Sequence, residues 1–291
     1  MPYITLRDGK MLFFEVHGEG SPLVMVEEWG CSRWLWFKQL RVFPSKYSCV
    51  VFDNRGVGLS DKPDERYSIN LFSEDLRELL DFIGADRVFI LGVSMGGFIA
   101  QSFALKYPER VAGLVLVSTC SVGRSVASKL KEVIGDVLNK RGEVSMEEAL
   151  RKVLSFAFNP DYMEKHPEEV DQIVFWILEE ATPKYALIRQ LEAIREFNLK
   201  SEVFGIRAPT LIVTGTNDRI VPFESSEALA DAIPQSRLVV FEGGSHFLFL
   251  EEARLFNRIV MDFLREVETG EFTAKPRKVL VVRDAGKEEE F

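Results

Sequence analysis

The sequence predicts a layered α/β fold, a mostly parallel central sheet flanked by helices and interrupted by one helical insertion. Three observations carry this. Short β-branched runs recur at wide spacing: LVMV (23–26), YSCVVF (47–52), RVFILGV (87–93), VAGLVLVS (111–118), TLIVTG (210–215) and RLVVFEG (237–243). They are apolar throughout rather than alternating, as strands buried on both faces are. Amphipathic helical patterns lie between several of them, at 68–84 and 224–233, and such alternation marks a parallel sheet layered between helices. The rhythm breaks once, because 121–207 offers helical stretches but no convincing strand.

In chain order, the first segment alternates around Asp8-Gly9, a dipeptide suited to a hairpin turn. Residues 1–120 and 208–267 then read as one core, closed by a helical pattern over 251–267, with 121–207 as an inserted helical subdomain. The remainder, 268–291, holds a strand-like KVLVV and an acidic end. It reads as an added edge strand, a homodimer contact or a loose tail.

Bulk properties exclude several classes of function. The chain has 291 residues, a formal charge of −9 and a pI near 5.1, with no basic cluster. That balance disfavours nucleic acid or an anionic membrane as partner. No apolar run approaches the ~18 residues a membrane span requires, and MPYITLRDGK lacks the pattern of a signal peptide. Cys31, Cys49 and Cys120 are widely spaced, which predicts reduced thiols in a cytoplasmic protein rather than a disulfide framework. His17, His166 and His246 are far apart, so no metal cluster is expected. Nothing in the chain asks for a cofactor.

The run RVFILGV ends in Gly92-Val93-Ser94-Met95-Gly96 and passes into a helical stretch. A G-x-S-x-G between strand and helix forms a sharp elbow. Its glycines are needed where backbones crowd, and its serine stands up at the carboxyl end of the strand. A serine hydroxyl needs a base, and the base needs an orienting acid. Asp218 follows TLIVTG and His246 follows RLVVFEG, and the order Ser, Asp, His is the one associated with this elbow. His17 lies on the early hairpin and His166 precedes a proline in the insertion, which leaves His246 as the candidate base.

The stretches GVSMGGFIAQSFALKYPERV, FDNRGVGLSD (52–61), APTLIVTGTNDRIVP (208–222) and EGGSHFLFLE (242–251) resemble α/β-hydrolase fold enzymes. The likeness is to the esterase, 3-oxoadipate enol-lactonase and cofactor-free haloperoxidase group, over residues 10 to 267. It implies a catalytic triad of Ser94, Asp218 and His246, an oxyanion hole from the backbone N–H groups of Trp29 and Met95, and a lid formed by 121–207. The stretches FNPDYMEKHPEEV and RQLEAIREFN are similar to the enol-lactonase branch. A serine at the elbow argues against haloalkane dehalogenases and epoxide hydrolases, which carry aspartate there. In the loop Asp53 to Gly58, Arg55 is expected to pin the chain by pairing with a carboxylate. Phe156, Phe158, Tyr162, Trp176 and Tyr185 are candidate pocket residues, although their helical spacing makes most of them lid core.

One departure stands out. Members of this group usually carry His-Gly where this chain has Glu27-Glu28. A glutamate forced to positive φ would cost on the order of 1–2 kcal/mol. A carboxylate ~4 Å from a developing oxyanion would oppose it by about 4 kcal/mol at an effective dielectric of 20. Adjacent side chains on an extended segment face opposite ways, so at most one glutamate should approach the chemistry. Arg33 and Arg55 are the expected neutralising partners, with protonation of a buried carboxyl as the alternative.

The activity expected is hydrolysis of a small, mostly apolar ester or lactone through an acyl-enzyme. An enol-lactonase acting on a carboxylated ring is a narrower version, against which two acids weigh. Perhydrolysis by peroxide would use the same site. From a different class, a catalytically impaired ligand-binding protein of the same fold is favoured only by the two glutamates.

Overall fold

The computed structural model describes residues 2–138, 145–274 and 278–281. Among these, nine strands form one sheet: β1 (Tyr3–Thr5), β2 (Met11–His17), β3 (Ser21–Val26), β4 (Tyr47–Phe52), β5 (Val88–Val93), β6 (Val111–Val117), β7 (Thr210–Gly215), β8 (Ser236–Phe241) and β9 (Lys278–Val281). β1 and β2 pair antiparallel across a turn in which Gly9 takes φ +84°, and β2 pairs antiparallel with β4. Every later pairing is parallel. The strand order is β1-β2-β4-β3-β5-β6-β7-β8-β9.

This order fixes where a site can form. β3 lies between β4 and β5, with Val26 opposite Gly92. The chain therefore leaves β3 in one direction across the sheet and returns in the other. Such a reversal opens a crevice at the carboxyl ends of the neighbouring strands. The loop after β3 and the elbow after β5 meet there.

Helices cover the sheet. α1 (Ile69–Phe82) starts at Ser68, whose hydroxyl accepts the Leu71 N–H at 3.1 Å, and buries Ile69, Phe72, Leu76, Leu79 and Leu80. Those spacings make a single apolar stripe facing the core. α2 (Met95–Lys106) is buried from Met95 to Ala104 and packs on β5 and α1, so it is apolar around most of its circumference. Between β6 and β7 come α3 (Gly123–Leu138), α4 (Met146–Ala157), α5 (Pro160–Lys165), α6 (Pro167–Glu179) and α7 (Lys184–Glu196). α8 (Phe223–Ala232), α9 (Leu248–Glu251) and α10 (Ala253–Glu268) complete the core.

The inserted helices are fastened to the sheet by specific contacts. Phe247 donates its N–H to the Ala157 carbonyl at 2.9 Å, and Asn159 Nδ2 donates to Glu251 Oε2 at 2.7 Å. Lys38 Nζ reaches the Tyr162 hydroxyl at 2.8 Å and Glu169 at 2.7 Å. Beyond α10, β9 extends the sheet beside β8. Residues 275–277 and 282–291, which include the acidic end, lie outside the described residues.

Candidate active site

β5 is buried along its whole length and is followed at once by Ser94, which takes φ 52° and ψ −113°. A non-glycine residue held in that region costs on the order of 1–3 kcal/mol and persists only where neighbours over-determine it. Here they do. The Ser94 N–H donates to the Val117 carbonyl at 2.9 Å, and Thr119 Oγ1 donates to the Ser94 carbonyl at 2.8 Å. The flanking glycines are compulsory because a Cβ on Gly92 would collide with the Gly96 carbonyl, and one on Gly96 with the Val26 carbonyl. The elbow thus packs directly against the end of β3.

Asp218 follows β7. Its Oδ1 accepts the N–H groups of Ile220 and Val221, each at 2.8 Å, which leaves Oδ2 for His246 Nδ1 at 2.8 Å. His246 follows β8 and is fully buried, and its carbonyl accepts from the Ser118 hydroxyl at 2.9 Å. The segment 117–119 therefore touches both the elbow and the histidine. Among the described residues, Ser94 Oγ makes no hydrogen bond to the imidazole. His246 Nε2 instead meets Glu28 Oε2 at 3.0 Å.

The two glutamates diverge as alternation on an extended segment predicts. Glu28 points to His246, with Cys31 Sγ 3.6 Å from its Oε1. Glu27 is fully buried on the other side, where Oε1 accepts the Asn54 N–H at 2.6 Å and Oε2 has no partner. Burial first, and then the charge of Asp53, push the Glu27 carboxyl well above the usual carboxylate range. Burial opposes charge on His246, but Asp218 and Glu28 outweigh it and push the imidazole up to about 10.

Neither expected arginine partner reaches these carboxyl groups. Arg33 Nη1 pairs with Asp53 at 2.8 Å and Glu180 at 3.0 Å, and its Nε pairs with Glu15 at 3.3 Å. Arg55 binds Asp75 at 2.8 Å, Asp8 at 2.6 Å and Glu65 at 2.7 Å, so it pins its loop to α1 and to the β1–β2 turn. Both side chains are claimed by nearer acids. The expected positive φ is also absent from the glutamates, because Gly30, at φ +72°, turns the loop instead.

Trp29 is half-buried, and its indole N–H donates to the Leu187 carbonyl at 2.9 Å. Its backbone N–H and that of Met95 have no acceptor among the described residues. Among the described residues, Trp176 makes no hydrogen bond or ring contact with Ser94 or His246. It stacks on Trp34 with centroids 5.8 Å apart and lines a separate cavity of about 240 Å³ with Arg33, Phe37 and Glu180. The other candidate pocket aromatics also hold elements together. Phe156 lies beneath the Arg219 guanidinium at 4.6 Å, Phe158 meets Phe247 at 4.9 Å, and the Tyr185 hydroxyl donates to the Lys62 carbonyl at 2.8 Å. Tyr162 is taken up by Lys38.

Sequence reasoning did not place Thr119, Cys31 or Gln190 at the site. Thr119 sits just past β6 and falls under the rule that strand ends carry sites. Gln190 Oε1 accepts the Gly30 N–H at 3.0 Å from 160 residues away, and no local pattern announces it. Among the described residues, no group of His, Cys, Asp and Glu is arranged to hold a metal, and no helix is long and apolar enough to cross a membrane.

Comparison with known proteins agrees with this architecture. The family model described as alpha/beta hydrolase fold matches residues 16–253. A relative from Variovorax paradoxus, named as a carbamate hydrolase, RutD, is 29% identical over 88% of this chain and 97% of its own length. The 3-oxoadipate enol-lactonase 2 of Acinetobacter baylyi is 27% identical over 82% of this chain and 86% of its own. Among solved structures, an enol-lactonase from Burkholderia xenovorans superposes with a TM-score of 0.80 at 28% identity, over 91% of this chain and 100% of that one. A thermophilic esterase from Thermogutta terrifontis gives 0.79 at 27% identity, over 91% and 98%.

Proposed function

The chain belongs to the α/β-hydrolase fold family, and on that premise we propose that it is a serine hydrolase of small carboxylic esters or lactones. The observation that carries this is the buried Asp218–His246 hydrogen bond of 2.8 Å at the switch point where Ser94 sits strained on its elbow. In the proposed reaction Ser94 Oγ attacks the acyl carbon while His246 Nε2 takes its proton. The developing oxyanion accepts from the backbone N–H groups of Trp29 and Met95. Collapse breaks the acyl–oxygen bond, and the imidazolium returns the proton to the leaving alcohol. Water then repeats the sequence on the acyl-enzyme.

In this reading the helices between β6 and β7 serve as a lid, and Asp218 orients the ring through Nδ1. The named enol-lactonases among the relatives support lactones as substrates, and the carbamate hydrolases support a carbonyl flanked by nitrogen. The buried free thiols suit a cytoplasmic location. A second reading, a protein that binds such a ligand without turning it over, draws on one observation, the occupation of His246 Nε2 by Glu28.

Turnover of short p-nitrophenyl esters and of lactones, together with fluorophosphonate labelling, separates the two. The hydrolase reading expects Ser94→Ala to abolish labelling and to lower kcat by about 10³-fold or more. Turnover that survives in Ser94→Ala, or is absent from the native chain on every ester and lactone tried, would defeat it.

A further inference from the structure

Glu28 occupies the position that the proposed relay needs. For Ser94 to lose its proton, His246 Nε2 must carry a free lone pair facing Oγ. That nitrogen meets Glu28 Oε2 at 3.0 Å while Nδ1 meets Asp218 Oδ2 at 2.8 Å. With a carboxylate at each end, both ring nitrogens act as donors, which is the imidazolium form. Glu27, on the same loop, and two thiols also border this cluster. Cys31 comes from the same loop as Glu28, and Cys120, from the segment after β6, is close enough to Asp218 to feel its charge. Burial raises both thiols, so neither contributes charge. No arginine or lysine among the described residues pairs with Glu28 or Asp218.

The loop that carries Glu28 is tied to the insertion. The Trp29 indole donates to the Leu187 carbonyl at 2.9 Å and the Gly30 N–H donates to Gln190 Oε1 at 3.0 Å. Both acceptors belong to α7, and Gln190 Nε2 also holds the Arg55 carbonyl at 3.2 Å. Ser94 is 2% exposed and His246 0%. No ester reaches the serine without displacement of what covers it, and α7 is fastened directly to the loop that carries Glu28.

We propose that Glu28 is a latch on His246, holding the relay off in the closed protein, and that α7 draws it away through Trp29 and Gly30 when the insertion moves to admit substrate. This rests on the serine-hydrolase reading. Glu28 is a positioning residue and makes no bond to the acyl group. When it leaves, the Nε2 proton passes to solvent water. The ring then carries one proton, on Nδ1 toward Asp218, and presents a lone pair to Ser94. When the site empties and α7 returns, the ring takes a proton from solvent and the latch re-forms.

The test uses the full chain and two readouts. Ring ¹⁵N spectra follow His246, assigned by substituting His17 and His166 in turn, in the native protein and in Glu28→Gln, which keeps the shape of the side chain without its charge. The native ring is expected to stay an imidazolium beyond about pH 8 and the variant ring to become neutral at least about one pH unit lower. At about pH 7.5, p-nitrophenyl acetate turnover by Glu28→Gln is expected to rise in kcat by about tenfold or more with KM nearly unchanged. Gln190→Ala should lower kcat in the native background and leave it unaltered in the Glu28→Gln background. Glu28→Ala stands in if the glutamine variant fails to fold.

Superimposable His246 titrations in the native protein and Glu28→Gln would overturn the latch, as would a kcat that does not rise in that variant. Absence of both ester turnover and Ser94 labelling in the native and variant proteins alike would instead count against the hydrolase reading. The ring titration would still decide whether Glu28 clamps the imidazole.

Discussion

Glu27 and Glu28 are consecutive carboxyl groups in opposite electrostatic situations. Glu28 faces the His246 ring at Nε2, whereas Glu27 is fully buried beside Asp53 with one oxygen unpaired. For Glu27 the folded protein holds a proton that the unfolded chain releases in the ordinary glutamate range. Between that range and the raised folded value the native state binds more protons, so stability is full at low pH and falls as pH rises. Asp53, raised by burial to about 6 despite Arg33, adds to the same slope. Glu27→Gln keeps the acceptor for the Asn54 N–H and has no proton to lose. Relative to the native protein, it should be more stable at about pH 8 than at about pH 5 by about 1 kcal/mol or more, as measured by urea unfolding at the two pH values. An equal difference at both would show that Glu27 is not protonated in the folded state.

Legibility differed between these neighbours and the elbow for a physical reason. The glycines around Ser94 are dictated by backbone contacts within five residues and across to β3, so the sequence carries them openly. That the glutamates point apart follows from strand alternation and was equally readable. Which one meets His246, and which acids claim Arg33 and Arg55, depends on side chains brought in from α1, α6 and the first hairpin. Such competition has no local signature, and pairing the arginines with the glutamates was wrong for that reason.

At the scale of elements, the apolar strand runs and the amphipathic stripe of α1 were readable because burial on two faces, or on one, imposes its own period. The helices between β6 and β7 were readable as helices, but not the surfaces they use. Trp176 illustrates this. On α6 it resembled a pocket residue, yet it stacks against Trp34 and Phe37 on the first 3₁₀ turn after the Glu28 loop. Its work is therefore to hold α6 to the core. Trp176→Ala should cost about 2–3 kcal/mol of stability, toward the lower end for an aromatic truncation because the ring is only partly buried. It should change KM for small esters by less than about twofold. A large KM effect with unchanged stability, from thermal unfolding and steady-state kinetics on one preparation, would place the ring in the substrate path instead.

For the molecule as a whole, β9 has the most distant consequence. It pairs in parallel with β8 from Leu238 to Phe241, and β8 leads within a few residues to His246. Without β9, β8 would end the sheet with a row of unpaired N–H and C=O groups along a strand whose Leu238, Val239, Val240 and Phe241 are buried. A bare, apolar edge of that kind invites pairing with another chain. A protein ending at residue 274 is therefore expected to fold, since the sheet from β1 to β8 and all the described helices remain. It should melt several degrees lower, about what 1–2 kcal/mol removes from a chain of this size, and should self-associate as concentration rises. Differential scanning calorimetry with light scattering after size exclusion provides the check. An unchanged melting temperature and a single mass for both lengths would mean that β9 adds nothing to the edge it lies on. A native protein that is dimeric and becomes monomeric on truncation would mean that the extension joins copies rather than shielding them.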